Sequence, residues 1–455
     1  MLKKKIKLFF KKNKSAIKIS LFILWITLHI ILLLHHEPWR DEARAWILAK
    51  NLSIKDLFIT SKFDGHPILW HLILMPFAKL GFPYITIQII NLIICTIAAY
   101  IFYFKIKIND IAKTLILFGA PFIYVYPVIA RNYSLALLFI ILISLFYTSR
   151  FKHPYIYTIL ICLLLNTPTI TYGFALALYS SFNFLEIINY FKKKNKLKVK
   201  QIIITNFIFI LSLVIITLEL FGTSNPDYPK PFSFNNLIIY NIPFAIEILF
   251  SIVLFGIIAK KDNFKIYLIA ITGLIYQLFV TFFYYPALLE LREFYQCVIW
   301  LFFIITYSDN NKVFKNISII IFLIFYFPRT IISYNMAIND TKYNYSSAKE
   351  TANWINKNLK KDKILIEDSI FCQSIVPYLD NIKVYDIYYE KDFEKLKIYS
   401  DKKKPKKINI DQYKGNYIIL YHQNKKKINS NNLVKMYNSN LSIMNENFTI
   451  YYIKK

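Results

Sequence analysis

Apolar stretches of roughly 20 residues recur through the first three quarters of the chain, each enough to cross a ~30 Å hydrocarbon core as a helix. The 455 residues are 56% hydrophobic, with a mean hydropathy of +0.40. This is the pattern of an integral membrane protein. The expected spans are 15–34, 84–104, 112–128, 133–148, 155–166, 168–191, 201–221, 237–259, 266–284, 294–307 and 316–334. The first follows a lysine-rich segment. It is too long for the apolar core of a signal peptide, and no small-x-small cleavage site precedes His35-His36, so it reads as an uncleaved span.

One apolar segment, 67–80, is only about 14 residues long and is bounded by Gly and Pro. That length suits an interfacial or re-entrant helix better than a span. Charge arbitrates. With 67–80 kept on the outer side, 24 Lys and Arg fall in the alternate loops assigned to the inside, against nine in the outer ones. If 67–80 crossed, the densest cluster, Lys192 to Lys200, would lie outside. The positive-inside rule therefore predicts eleven spans, an amino terminus inside and a carboxyl terminus outside. The same clustering accounts for the net charge of +29 without nucleic acid as a partner.

Residues 1–334 thus form a transmembrane domain, with a first outer loop over 35–83. Residues 335–455 form a small α/β domain of ordinary size. Ser346 to Leu359 reads as an amphipathic helix capped by Ser346 or Ser347. Lys363–Ile366, Lys383–Tyr388, Tyr417–Tyr421 and Phe448–Ile453 read as strands. Cys95, Cys162 and Cys297 lie in apolar spans and only Cys372 in a soluble segment, so no disulfide framework is available. No internal repeat of the transporter kind is visible.

Phosphate-binding glycine loops, H-E-x-x-H, C-x-x-C and D-x-D motifs are absent. Chemistry must therefore come from residues near the membrane. With this topology, polar groups converge on the outer face. Asp41, Glu42 and His66 lie in the first outer loop, Arg131, Asn132 and Tyr133 at the next outer turn, and Glu290, Arg292, Glu293 and Tyr295 at a later one. A carboxylate can deprotonate an acceptor hydroxyl or amine. A guanidinium can hold a phosphate bidentately and stabilise its charge as it leaves. Arg292 is the favoured phosphate ligand, with Arg131 as competitor and Tyr295 as support. Each element also has a plain structural reading. The acidic pair suits the start of an interfacial helix over 42–58, and His66-Pro67 suits a turn. Arg131 suits a snorkelling position, and Arg292 suits an ion pair with its glutamates. Glu219, Glu247 and Arg329 fall outside the outer cluster.

An acidic pair in the first outer loop, a His-Pro helix ending near Leu80-Gly81, a Tyr/Arg-rich outer turn and a C-terminal soluble domain resemble one family. It is the polytopic lipid-linked-sugar glycosyltransferases of the C-type fold, in the branch of protein O-mannosyltransferases and aminoarabinose transferases. The resemblance covers residues 20–150 and, beyond them, the overall architecture. It implies a hexosyl- or pentosyl-type transferase in the cell membrane. Its donor would be a polyprenyl-phosphate sugar and its acceptor a glycan, lipid or protein, with inverting transfer on the outer face. Asp41 falls on the family's catalytic aspartate, Glu42 on its acidic neighbour and His66-Pro67 on its His-Pro turn. Arg131 falls on the basic position of the second outer turn, and Arg292 loosely on the donor-phosphate arginine. Ile68 replaces a usual second proline, and Gln88 or Asn91 stands where an arginine often starts the next span. No cofactor is implied, and no metal-ligating set is assigned; a divalent-metal requirement stays open. A transporter or flippase is the rival from another class, and a polymerase or ligase of surface glycans the nearer one.

Overall fold

The computed structural model describes residues 13–64, 66–168, 171–193, 196–220, 269, 272–273, 275–276, 312–359, 363–393, 410–421 and 432–455. The chain is mostly helical, with a small C-terminal sheet domain. Its helices are α1 (Lys14–His35), α2 (Arg40–Asn51), α3 (Ile54–Asp64), α4 (Leu69–Lys79), α5 (Thr86–Tyr100) and α6 (Asp110–Leu117). They continue with α7 (Tyr133–Phe146), α8 (Pro154–Leu165), α9 (Tyr172–Lys193), α10 (Lys196–Leu220), α11 (Lys312–Lys342) and α12 (Ala348–Asn358).

The expected eleven spans are not what the described residues show. Three helical segments among them, Lys14–His35, Thr86–Lys105 and Lys198–Leu220, are long and apolar enough to cross a membrane. A fourth is added if α6 and the Pro121–Val128 segment, bent by 55°, count as one broken span. The 14 residues of α7 and the 12 of α8 span only ~21 and ~18 Å at 1.5 Å per residue. Both bury most of their side chains inside the bundle. An apolar run reports removal from water, and neighbouring helices achieve that as well as lipid does. The expected spans at 237–259, 266–284 and 294–307 fall outside the described residues apart from a few positions near 269–276.

Apolar residues on α1 such as Ile19, Ile23, Leu24, Ile31 and Leu34 are exposed, as a lipid-facing surface requires. Its other face carries Trp25 and His29. Trp25 Nε1 donates to the Phe122 carbonyl at 2.9 Å, and His29 Nε2 lies 3.2 Å from the Ile123 carbonyl. These carbonyls belong to the π-helical turn at 121–125, where Pro121 lacks an N–H and disturbs the helical ladder. The break after α6 also needs Gly119. A Cβ there would collide with the Tyr326 ring of α11.

The helix expected over 42–58 is two helices. Ser53 starts α3, accepting the Asp56 N–H at 3.1 Å and donating to the Asp56 carboxylate at 2.8 Å. The 67–80 segment contains α4, only 11 residues long, which packs against α2.

The C-terminal domain has α12 and strands β1 (Lys363–Ile366), β2 (Lys383–Asp386), β3 (Lys391–Asp392), β4 (Tyr417–Tyr421), β5 (Leu433–Asn438) and β6 (Phe448–Ile453). Their order is β3-β2-β1-β4-β6-β5. β1 pairs parallel with β2 and β4, and the remaining pairs are antiparallel. The expected strand over 383–388 stops at Asp386, whose Oδ1 accepts the N–H groups of Tyr388 and Tyr389 at 2.8 and 2.9 Å. β3 and β5 were not expected; β5 lacks a strongly apolar face and stays partly exposed. A 3₁₀ turn at Gln373–Tyr378 packs on α2, with the Tyr378 ring 5.2 Å from that of Tyr84. The sheet domain therefore sits against the end of the bundle where α2 begins.

Candidate active site

α1 ends at His35, and residues 36–39 lead directly into α2. Trp39 is its extended N-cap, so Asp41 and Glu42 occupy the first turn, where carboxylates face the partial positive charge of the unpaired amides. Adjacent helical residues point about 100° apart. The two acids consequently lie in different surroundings.

Glu42 turns inward and is fully buried. Its Oε1 accepts the Ala130 N–H at 2.6 Å. Its Oε2 accepts the Trp39 N–H at 3.1 Å and lies 3.1 Å from His36 Nε2. The other ring nitrogen of His36 is 2.8 Å from Asp340 Oδ2, to which the Tyr124 hydroxyl donates at 2.7 Å. Burial alone would lower the His36 pKa, but the flanking Glu42 and Asp340 carboxylates outweigh it and raise the value to about 10. His36 is thus a buried imidazolium donating to a carboxylate on each side.

Asp41 turns to the open side, its side chain 30% exposed. Arg131 Nη1 donates to its Oδ2, while Arg131 Nη2 donates to His66 Nε2 at 3.0 Å. A guanidinium has no acceptor atom, so His66 carries no proton on Nε2. Arg40 Nε lies 3.6 Å from Asp41 Oδ1, and the Arg131 guanidinium sits 5.6 Å from the centre of the Tyr133 ring. Arg131 reaches Asp41 because the chain is extended at Ile129 and Glu42 holds the next amide, Ala130. His66 lies in the turn before α4. The buried carboxylate of Glu219, at the end of α10, accepts the Ile68 N–H and fixes that turn. Glu219, whose place the sequence leaves open, thereby acquires one.

The structure brings Asp41, His66, Arg131 and Tyr133 together. Glu42 is engaged in buried contacts behind Asp41. Arg292 and Tyr295, with Glu290 and Glu293, lie outside the described residues, as does Glu247. His36, Asp340, Arg40 and Glu446 have places in or behind the site that sequence reasoning missed. Asp340 lies 304 positions from its partner His36, a separation that no local pattern signals. Among the described residues, no group of three or more His, Cys, Asp or Glu is arranged to hold a metal ion.

This arrangement offers a half-exposed carboxylate able to accept a proton, next to a guanidinium able to hold an anion. No protein-family model, curated protein or solved structure matches the chain.

Proposed function

We propose that the chain is a membrane glycosyltransferase that moves a sugar from a polyprenyl-phosphate donor to a hydroxyl or amine acceptor, with Asp41 as general base. The observation that carries this reading is the shared contact of Asp41 and His66 with Arg131. In it a carboxylate and a guanidinium meet in one partly exposed site at the end of an apolar helical bundle, groups suited to accept a proton and to hold an anion.

In the reaction, Asp41 takes the acceptor proton as the acceptor atom attacks the sugar's anomeric carbon. The bond from that carbon to the phosphate oxygen breaks, and polyprenyl phosphate departs with the electron pair, inverting the configuration. Arg131 stabilises the charge that gathers on the leaving phosphate. While Arg131 holds Asp41, it occupies a lone pair that would accept the proton. A donor phosphate competing for the guanidinium frees that oxygen, which couples donor binding to base function. Arg292, the phosphate ligand that the sequence favours, shares the phosphate charge in this reading.

The same proposal includes an odd number of crossings, eleven if the short α7 and α8 and the expected spans outside the described residues all cross, with a cytoplasmic amino terminus and an extracytoplasmic site and sheet domain. Its support is the asymmetry of 24 to nine basic residues between alternate loops. The test is mass spectrometry of envelope glycans, glycolipids and glycoproteins from cells carrying the intact gene, a deletion or Asp41→Asn. A sugar-bearing species missing from both mutants supports the reading. Identical profiles in all three overturn it.

A further inference from the structure

Glu446 belongs to the sheet domain, in the connection between β5 and β6, yet its carboxylate reaches the helix that carries Asp41. It is 2% exposed. Its Oε1 and Oε2 lie 3.0 and 3.2 Å from the Arg40 backbone nitrogen and accept that N–H. Ser346 Oγ donates to Oε2 at 2.8 Å. A buried carboxylate is costly unless it is well hydrogen-bonded. Burial raises the Glu446 pKa to about 7, against the opposing pull of Ser346 and Arg40.

The loop is built to hold this side chain in place. Asn445 adopts a left-handed conformation, φ 54°, which asparagine tolerates better than most residues. The Ser442 N–H donates to Asn447 Oδ1 at 2.9 Å, and the Asn445 N–H to the Ser442 carbonyl at 3.0 Å. The loop is also stitched to the segment before α12. Ile443 and Met444 donate to the carbonyls of Asn344 and Tyr345 at 3.0 and 3.1 Å, and Ser347 N–H donates to the Glu446 carbonyl at 3.1 Å. Glu350 accepts both the backbone N–H and the side-chain amide of Asn440, at 2.7 and 3.0 Å. With its backbone fixed on the sheet domain, Glu446 extends only its carboxylate to α2.

Arg40 is the first residue of α2, and its amide is one of those with no partner inside the helix. Its side chain also bridges the two parts, with the guanidinium 5.5 Å from the centre of the Phe371 ring and Nε 3.6 Å from Asp41 Oδ1. The residue immediately before Asp41 is therefore held by the sheet domain through both main chain and side chain.

We infer that Glu446 is a positioning residue: by fixing the Arg40 amide it sets where the first turn of α2 presents Asp41, which makes the sheet domain part of the catalytic site. This rests on the reading of Asp41 as the base. Glu446→Gln keeps a carbonyl oxygen for the Arg40 N–H, whereas Glu446→Ala removes every acceptor. The experiment uses the full chain in lipid nanodiscs. Hydrogen exchange is followed in peptides covering Arg40–Arg44, with peptides from α7 as reference. In parallel, each variant is expressed in cells and the Asp41-dependent glycan is measured. In Glu446→Ala, exchange at Arg40–Arg44 should rise at least tenfold with α7 unchanged, and the glycan should fall at least tenfold. Glu446→Gln should stay within threefold of the parent in both. Unchanged exchange in Glu446→Ala overturns the inference, as does a glycan loss in Glu446→Gln equal to that in Glu446→Ala. Faster exchange in a chain on which no glycan depends supports the hold on α2 and overturns the glycosyltransferase reading instead.

Discussion

Arg131 and Asp41, 90 positions apart, form an ion pair in which the same guanidinium also reaches His66. The pair links the first turn of α2 to the extended break before α7. Glu42 reinforces the link from behind by holding the Ala130 amide. The carboxylate and the guanidinium thereby fix each other's positions.

Asp41→Asn removes the proton acceptor and keeps an oxygen for Arg131. Transfer should fall by about 10²–10⁴-fold, the range for loss of a general base. Binding of polyprenyl phosphate and the yield of folded protein should be little changed. Near-parental transfer by this variant would remove Asp41 from the mechanism.

Arg131→Lys keeps the charge but replaces a fork with a single point. One ammonium cannot reproduce the simultaneous contacts to Asp41 and His66, nor a two-point hold on phosphate. Polyprenyl-phosphate binding should weaken and transfer should slow at least about tenfold, in line with loss of a charge-assisted contact of roughly 1.5–3 kcal/mol. Arg292→Lys is the comparison. If it loses donor binding while Arg131→Lys retains it, the principal phosphate ligand is Arg292.

Much of this site is legible in the sequence, and the reason is local. Asp41 and Glu42 follow an apolar run, while His66-Pro67 and Arg131 stand at punctuation between apolar segments. Which acid faces outward is not legible, because that depends on the helix starting at Arg40 and not a residue or two away. The apolar pattern places α1 and α5 near their observed bounds, but it gives no sign of the 55° bend between α6 and Pro121–Val128. Hydropathy does not register a break at which Trp25 donates to the Phe122 carbonyl and the buried His29 lies against Ile123. Asp340 and Glu446 are invisible for another reason. Their roles exist only once α11 and the β5–β6 connection have folded against α2.

Glu42→Gln tests the separation of tasks between the two acids. The variant retains one carbonyl oxygen where three donors converge, and it leaves His36 with one carboxylate in place of two. Breaking one side of a buried ionic contact costs about 3–5 kcal/mol. Glu42→Gln should therefore lower the unfolding midpoint in detergent clearly, while Asp41→Asn should not. Equal stability of the two variants would contradict an anchoring role for Glu42.

The His36 contacts predict a particular pH dependence. The pKa of His36 is raised in the folded chain to about 10 from an ordinary 6.5. A raised histidine pKa stabilises the fold fully below about pH 6.5, decreasingly above it, and not at all once pH passes about 10. The stability difference between the parent and His36→Gln should therefore be largest near pH 6 and shrink steadily toward pH 10. A difference independent of pH over this window would mean that His36 is held neutral.

The proposed orientation can be tested by single cysteines in a chain otherwise lacking them. The basic cluster from Lys192 to Lys200 is the densest between two apolar segments, and the positive-inside rule places it in the cytoplasm. If α4 does not cross, position 195 is then inside and position 400, in the C-terminal domain, is outside. Moving α4 across the membrane would exchange them. A membrane-impermeant thiol reagent added to intact cells should label Ser400→Cys, and should label Asn195→Cys only after lysis. The opposite pattern would put the sheet domain and Asp41 in the cytoplasm. A sugar donor presented on the far side of the membrane could then not reach the site, and the extracytoplasmic reaction would be excluded even if Asp41 proved essential.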